Sequence, residues 1–212
     1  MFKKWLIALA ATLVITATVE ARSTVNKSIK IGAGETVSDD LSSVNGSVTV
    51  GDGAVLQEEA STVNGSLSIG DDVQAREVSS VNGSVKIGDR VTVDGDASTV
   101  NGTLRVGEST IQGEVSTVNG TIKLNGSTVE RDITTVNGTI KLDQGARVAG
   151  NLIIKENRGR NNWTKPLKIE LRGGSVIEGD VIVEDSDREV ELRLLGGSSV
   201  NGKVEGAEVV RD

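Results

Sequence analysis

The chain has 212 residues, 23 Lys and Arg against 30 Asp and Glu for a formal charge of −7, one Pro, and no Cys, His or Tyr. These absences exclude a disulfide framework, a Cys or His metal centre and any catalytic pair built on His or Cys. The acidic balance argues against a nucleic-acid binder, whose footprint is a basic face.

The first segment reads as an address. Met1-Phe2-Lys3-Lys4 is a basic start, residues 5–15 are an uncharged apolar run, and Val19-Glu20-Ala21 offers small residues where a signal peptidase reads. The run is shorter than the ~20 residues needed to cross a bilayer core. Residues 1–21 are therefore expected to be a signal peptide, and the chain to be exported to the periplasm, cell surface or medium rather than held as an integral membrane protein. Cleavage leaves 21 basic and 29 acidic residues, with Trp163 the sole aromatic. A core without aromatics has to be aliphatic and regular.

A repeat follows. Val-Asn-Gly recurs with Asn at 45, 64, 82, 101, 119 and 137, and Val25-Asn26-Lys27 is a variant first copy, so the spacing is 18 or 19 residues. Such a period marks a solenoid. Counted from Asn, five columns are apolar. They are headed by Val37 (eight before), Leu41 (four before), Val44 (one before), Val48 (three after) and Val50 (five after), with Gln74 the lone lapse in the first. The residues are β-branched or Leu with local alternation, as in Ile140-Lys141-Leu142, which is a strand period. One unit per 18–19 residues predicts an all-β, single-stranded parallel β-helix whose coils stack ~4.8 Å apart, with the five columns filling the bore. The gaps between apolar columns miss the six-residue period of a left-handed coil, so a right-handed one is expected. Regular coils are assigned to 22–143 and irregular C-terminal coils to 144–212, with a loop insertion at 156–166.

The pattern Val-x-Gly-[Asp/Asn]-[Val/Leu], in Val93-Asp94-Gly95-Asp96-Ala97, Ile111-Gln112-Gly113-Glu114-Val115, residues 148–152 and Gly179-Asp180-Val181, resembles the repeat of the bactofilins. The Ser-Thr-Val-Asn-Gly units are similar to repeats of exported, adhesin-like bacterial proteins. The first resemblance implies a right-handed β-helix that polymerises end to end. Bactofilins are cytoplasmic and lack a leader, so their cytoskeletal role does not transfer to an exported chain.

Several columns carry polar chemistry. Five residues before Asn stands an acid in each regular coil: Asp40, Glu59, Glu77, Asp96, Glu114 and Asp132. Stacked carboxylates repel by about 1 kcal/mol per neighbour in a water-like dielectric, so these six are the candidate calcium ligands, against a plain solvated edge. A second acidic group, Asp52, Asp71-Asp72, Asp89, Glu108 and Asp143, follows the last strand of each coil. Four residues after Asn runs a partly basic column that includes Lys30, Lys86, Arg105, Lys123 and Lys141. It is expected on another face, giving a charge-striped rod. Ser and Thr columns flank Asn, and with it are expected to form a flat outer face, with Asn-Gly adopting the positive φ of a tight bend. In the insertion, Arg158, Arg160, Trp163 and Lys165 are the candidate partner contacts, on a loop of the kind that carries function on rigid scaffolds.

No enzyme is expected. Parallel β-helices do host polysaccharide lyases and hydrolases, but a catalytic acid–base pair should break the repeat at one place, and here the carboxylates recur in every coil. No cofactor is called for beyond the calcium alternative. The expected role is structural or surface-interaction, with self-association into polymers and an envelope protein or glycan as the other partners; the alternative is a calcium- or glycan-binding adhesin-type module.

Overall fold

The computed structural model describes residues 18–19, 22–157 and 166–212; the predicted leader lies almost wholly outside the described residues, as does 158–165 of the insertion. Among the described residues all strands join one sheet of parallel pairings that winds as a β-solenoid of about 10 turns, and there is no helix. Each turn carries three strand positions. A two-residue strand such as Thr110–Ile111 comes first. Two further faces follow, joined through the Asn-Gly corner in the long strand Val115–Asn125 and separate in Leu41–Ser43 and Val48–Val50. Like residues stack on like: Leu104 pairs with Ile122, and Ile122 with Ile140.

The bore is lined mainly by aliphatic side chains. Val48, Leu67, Val85, Leu104, Ile122 and Ile140 form one fully buried column, and Leu41, Ala60, Val78, Ala97, Val115 and Ile133 another. Full burial of such a side chain stabilises by about 1.5–3 kcal/mol, which is how a core without aromatics holds. The expected lapse at Gln74 disappears in the register. Leu56 pairs with Ala75 and Ala75 with Val93, while Gln74 lies outside, because that turn is one residue shorter between Ala75 and Val78.

Two expectations are overturned at the Asn-Gly corner. The Val column just before Asn does not enter the bore. Val44, Val63, Val81, Val100 and Val118 are 37–40% exposed and Val25 is 63% exposed. Its place is taken by the Ser and Thr two residues before Asn, namely Ser43, Thr62, Ser80, Thr99, Thr117 and Thr135, all buried. The predicted flat outer face therefore loses this hydroxyl column to the interior. A sixth inward column, Ala54, Val73, Val91, Ser109, Ser127 and Ala146, completes the lining.

The second correction concerns glycine. Gly46, Gly65, Gly83, Gly102 and Gly120 do not adopt positive φ. A Cβ on Gly102 would sit 2.0 Å from the carbonyl oxygen of Gly83 in the preceding coil, and the others meet the same clash. Close stacking of coils, not a left-handed bend, is what requires glycine here.

Beyond Asp143 the stack continues. The strand Ile133–Asp143 pairs with Leu152–Ile154 and, across the insertion, with Leu167–Leu171. The next turn inserts 184–189 between Val181–Val183 and Val190–Leu194. Both insertions leave the coil where the earlier turns place Val-Asn-Gly. The last turn ends in Val204–Glu205 and Glu208–Arg211, paired on one side only.

Candidate functional site

The surface is built from vertical ladders, and each has a local physical origin. In the acidic column, Asp and Glu behave differently. Asp40 Oδ1 accepts the backbone N–H of Glu59 (3.2 Å), Asp96 that of Glu114 (2.8 Å) and Asp132 that of Asn151 (2.7 Å). The device continues with Asn151 to Asp180 (2.9 Å) and Asp180 to Lys203 (2.7 Å). The short side chain reaches the donor of the next coil at a corner where strand pairing is interrupted, satisfying a group that would otherwise depend on water. Glu59 is too long for this and accepts the Ser79 hydroxyl at 2.7 Å.

The glycine that precedes the donor residue in several coils, Gly113, Gly150, Gly179 and Gly202, belongs to the same device. A Cβ on Gly113 would lie 2.3 Å from Asp96 Oδ1, and one on Gly179 2.5 Å from Asn151 Oδ1. The Gly-[Asp/Asn] doublet is thus a corner hydrogen bond with the room it needs. The second acidic column repeats it: Asp52, Asp71 and Asp89 accept the backbone N–H of Asp71, Asp89 and Glu108 at 2.9, 3.0 and 3.1 Å. Beside it, Arg90 holds Asp72 through two hydrogen bonds of 2.7 and 2.8 Å, which keep that carboxyl below its ordinary pKa.

Among the described residues no three His, Cys, Asp or Glu side chains gather so as to hold a metal ion. The six calcium candidates are brought into one column, with Glu59 directly opposite Glu77. Glu77 is pushed above its ordinary pKa, first by burial and then by Glu59 and Asp96, with Arg76 opposing.

Asn side chains form a continuous amide ladder. Nδ2 of Asn45, Asn64, Asn82, Asn101 and Asn119 donates to Oδ1 of the Asn one coil earlier, at 2.9–3.2 Å. Inside the corner, Thr62 and Thr99 donate to the carbonyls of Gly46 and Gly65's successor Gly83 at 2.8 and 3.0 Å. The next residue of the column is Asn137, in register with Asn119, and its Oδ1 accepts from Arg188 of the second insertion at 3.1 Å. Val136 is only half exposed there.

The corner is therefore a ridge with an exposed Val row beside an Asn row. Acids flank it on one side, and Lys86, Arg105 and Lys123 on the other. Reading the sequence missed this ridge, though its signal was present. In a period of two, residues four and two before Asn share a face and the Val one before it takes the opposite one.

The candidate contacts Arg158, Arg160, Trp163 and Lys165 lie outside the described residues; in the sequence they fall between the strands Leu152–Ile154 and Leu167–Leu171. A cleft of about 340 Å³ nearby is lined by Pro166, Arg188, Glu189, Glu191 and Glu208. Among the described residues no helix is long and apolar enough to cross a membrane. Compared with protein-family models, curated proteins and solved structures, the chain matches none.

Proposed function

We propose that this chain is an exported, non-catalytic structural rod of the bacterial envelope that associates end to end, in the manner its bactofilin-like repeat suggests. The observation that carries the reading is the in-register stacking, Leu104 on Ile122 and Ile122 on Ile140, which makes each coil a template for the next. In the turn of Val204–Glu205 and Glu208–Arg211 the strands are paired on one side, the lining residues Val200, Val204 and Ala207 are partly buried, and Val209 is 37% exposed. An unpaired strand edge over an apolar bore is a template for another coil. The non-catalytic reading is supported by Asp40, Asp52, Asp71, Asp89, Asp96 and Asp132, each of which serves a backbone N–H of the next coil rather than meeting at one irregular place.

Electron microscopy of the purified protein tests this. Filaments many times longer than the ~45 Å expected for ten coils at ~4.8 Å support the rod polymer, and Val209→Asp should abolish them. Discrete rods at every concentration would instead leave a monomeric surface module. The adhesin-type alternative is favoured by one feature, two insertions that interrupt the coil at the same position, the first with Trp163 in its sequence. Calorimetric titration with calcium and with envelope glycans separates it from the scaffold.

A further inference from the structure

Among the described residues the ridge is the one long apolar feature on the side of the rod. Val25, Val44, Val63, Val81, Val100 and Val118 stand on six successive coils, so the row is ~24 Å long at ~4.8 Å per step. The Asn ladder runs beside it and Ser42, Ser61, Ser79, Ser98 and Ser116 line its other side. No charge interrupts this band, although charged side chains are the usual protection of a regular β surface.

The flanks are charged in a particular order. On one side the acids stack like on like, and none of Asp40, Glu59, Glu77, Asp96, Glu114 and Asp132 forms an ion pair among the described residues. On the other side Lys86 pairs in register with Arg105, and Arg105 with Lys123, again without a carboxylate partner among the described residues. The contrast lies in the same molecule. Further along this second column the charges alternate, Lys141 beside Glu170 (3.6 Å) and Glu170 opposite Arg193, so the C-terminal coils neutralise themselves. Those are also the coils where the ridge is replaced by insertions. In this second column the like-charge run lies beside the exposed Val row, and the alternating run lies where insertions replace it.

We propose that the Val–Asn ridge is a lateral interface for a second copy of this chain, with the two rods parallel and related by a two-fold axis along their length. The charge order decides the orientation. A dyad parallel to the rods exchanges left and right while keeping direction, so the acidic row of each copy faces the Lys and Arg row of the other. A dyad across the rods reverses direction but keeps left and right, so acid faces acid and base faces base. Equal coil spacing in the two copies lets the Val rows interdigitate along their whole length, as stacked ladders do in dry sheet interfaces. Arg188 already shows what the ridge accepts, since its guanidinium reaches Asn137 Oδ1 from outside the coil. A band this narrow falls short of the ~800 Å² per partner of a standard interface, so single rods pair weakly and longer assemblies pair through many coils at once. The contact is on the side of the rod and needs no end-on joining.

The chain has no cysteine, so a single introduced thiol is unique. Val44→Cys, Val81→Cys and Val118→Cys, made separately in the full chain, are treated with a short bis-maleimide. The parallel dyad brings each residue to its own copy, so all three variants should give cross-linked dimers. A Lys123→Cys variant, whose side chain meets an acid row, should give little. An antiparallel pair would link Val81 alone, and absence of links at all three would mean no ridge contact; either result overturns the proposal. End-on polymers cannot produce a Val81–Val81 link, because that coil is far from both ends, so the outcome is independent of the filament reading. In sedimentation, Val81→Lys with Val100→Lys should weaken self-association at least tenfold while circular dichroism keeps its strand signal. Unchanged association in that variant also overturns the proposal.

Discussion

At the scale of single residues, the hydroxyl column inside the corner separates two kinds of buried threonine. Thr99 donates to the Gly83 carbonyl, whereas the Oγ1 atoms of Thr117 and Thr135 are buried with no hydrogen-bond partner among the described residues. A satisfied buried hydroxyl contributes about 1 kcal/mol, and an unsatisfied one costs about as much or more. Valine has nearly the same shape. Thr135→Val should therefore raise the urea unfolding midpoint by an amount corresponding to about 1 kcal/mol, and Thr99→Val should lower it by a similar amount. Equal effects of one sign would show that the two sites do not differ in this way.

At the scale of one ladder, neighbouring coils impose what no single coil would choose. Glu77 sits between Glu59 and Asp96 and is partly buried, so its pKa in the folded chain lies above the ordinary glutamate value. The folded state thus holds the proton more tightly than the unfolded chain does. This favours folding below the ordinary glutamate pKa of ~4.3 and is lost as pH rises through the raised value. Glu77→Gln should accordingly raise the melting temperature at pH 7, and the gain should shrink as the pH falls through the raised value toward the ordinary ~4.3. A gain that persists undiminished in acid would trace to packing rather than to repulsion. The Asp positions of the same column obey different physics, because their Oδ1 atoms hold a backbone N–H of the following coil. Asp and Glu look interchangeable in the repeat and are not.

At the scale of the whole molecule, each coil touches only its neighbours, so stability is a chain of nearest-neighbour terms that is weakest at an open end. The last turn has strands paired on one side and an exposed Val209, while the coils around Leu104, Ile122 and Ile140 are closed above and below. Amide hydrogen exchange should be fastest over 199–211 and slowest over 97–142, with a gradient between them. Uniform protection along the rod would mean that it opens only as a single unit. The same one-dimensional construction sets the surface chemistry, since a side chain at one column position is repeated every coil as a stripe.

The parallel stacking, the coil length and four of the bore columns were legible in the sequence, because a period of 18–19 residues and alternation within short strands leave few ways to bury aliphatic side chains. What the tertiary structure decided lies at the corners. Only the stacking of coils reveals that the corner glycines avoid a carbonyl of the coil before, that Ser43 and its successors turn inward, and that Val44 and its successors turn out. Composition marks a valine as apolar, but which way it points is set by the parity of the strand running into the corner, and that parity depends on the coil beneath.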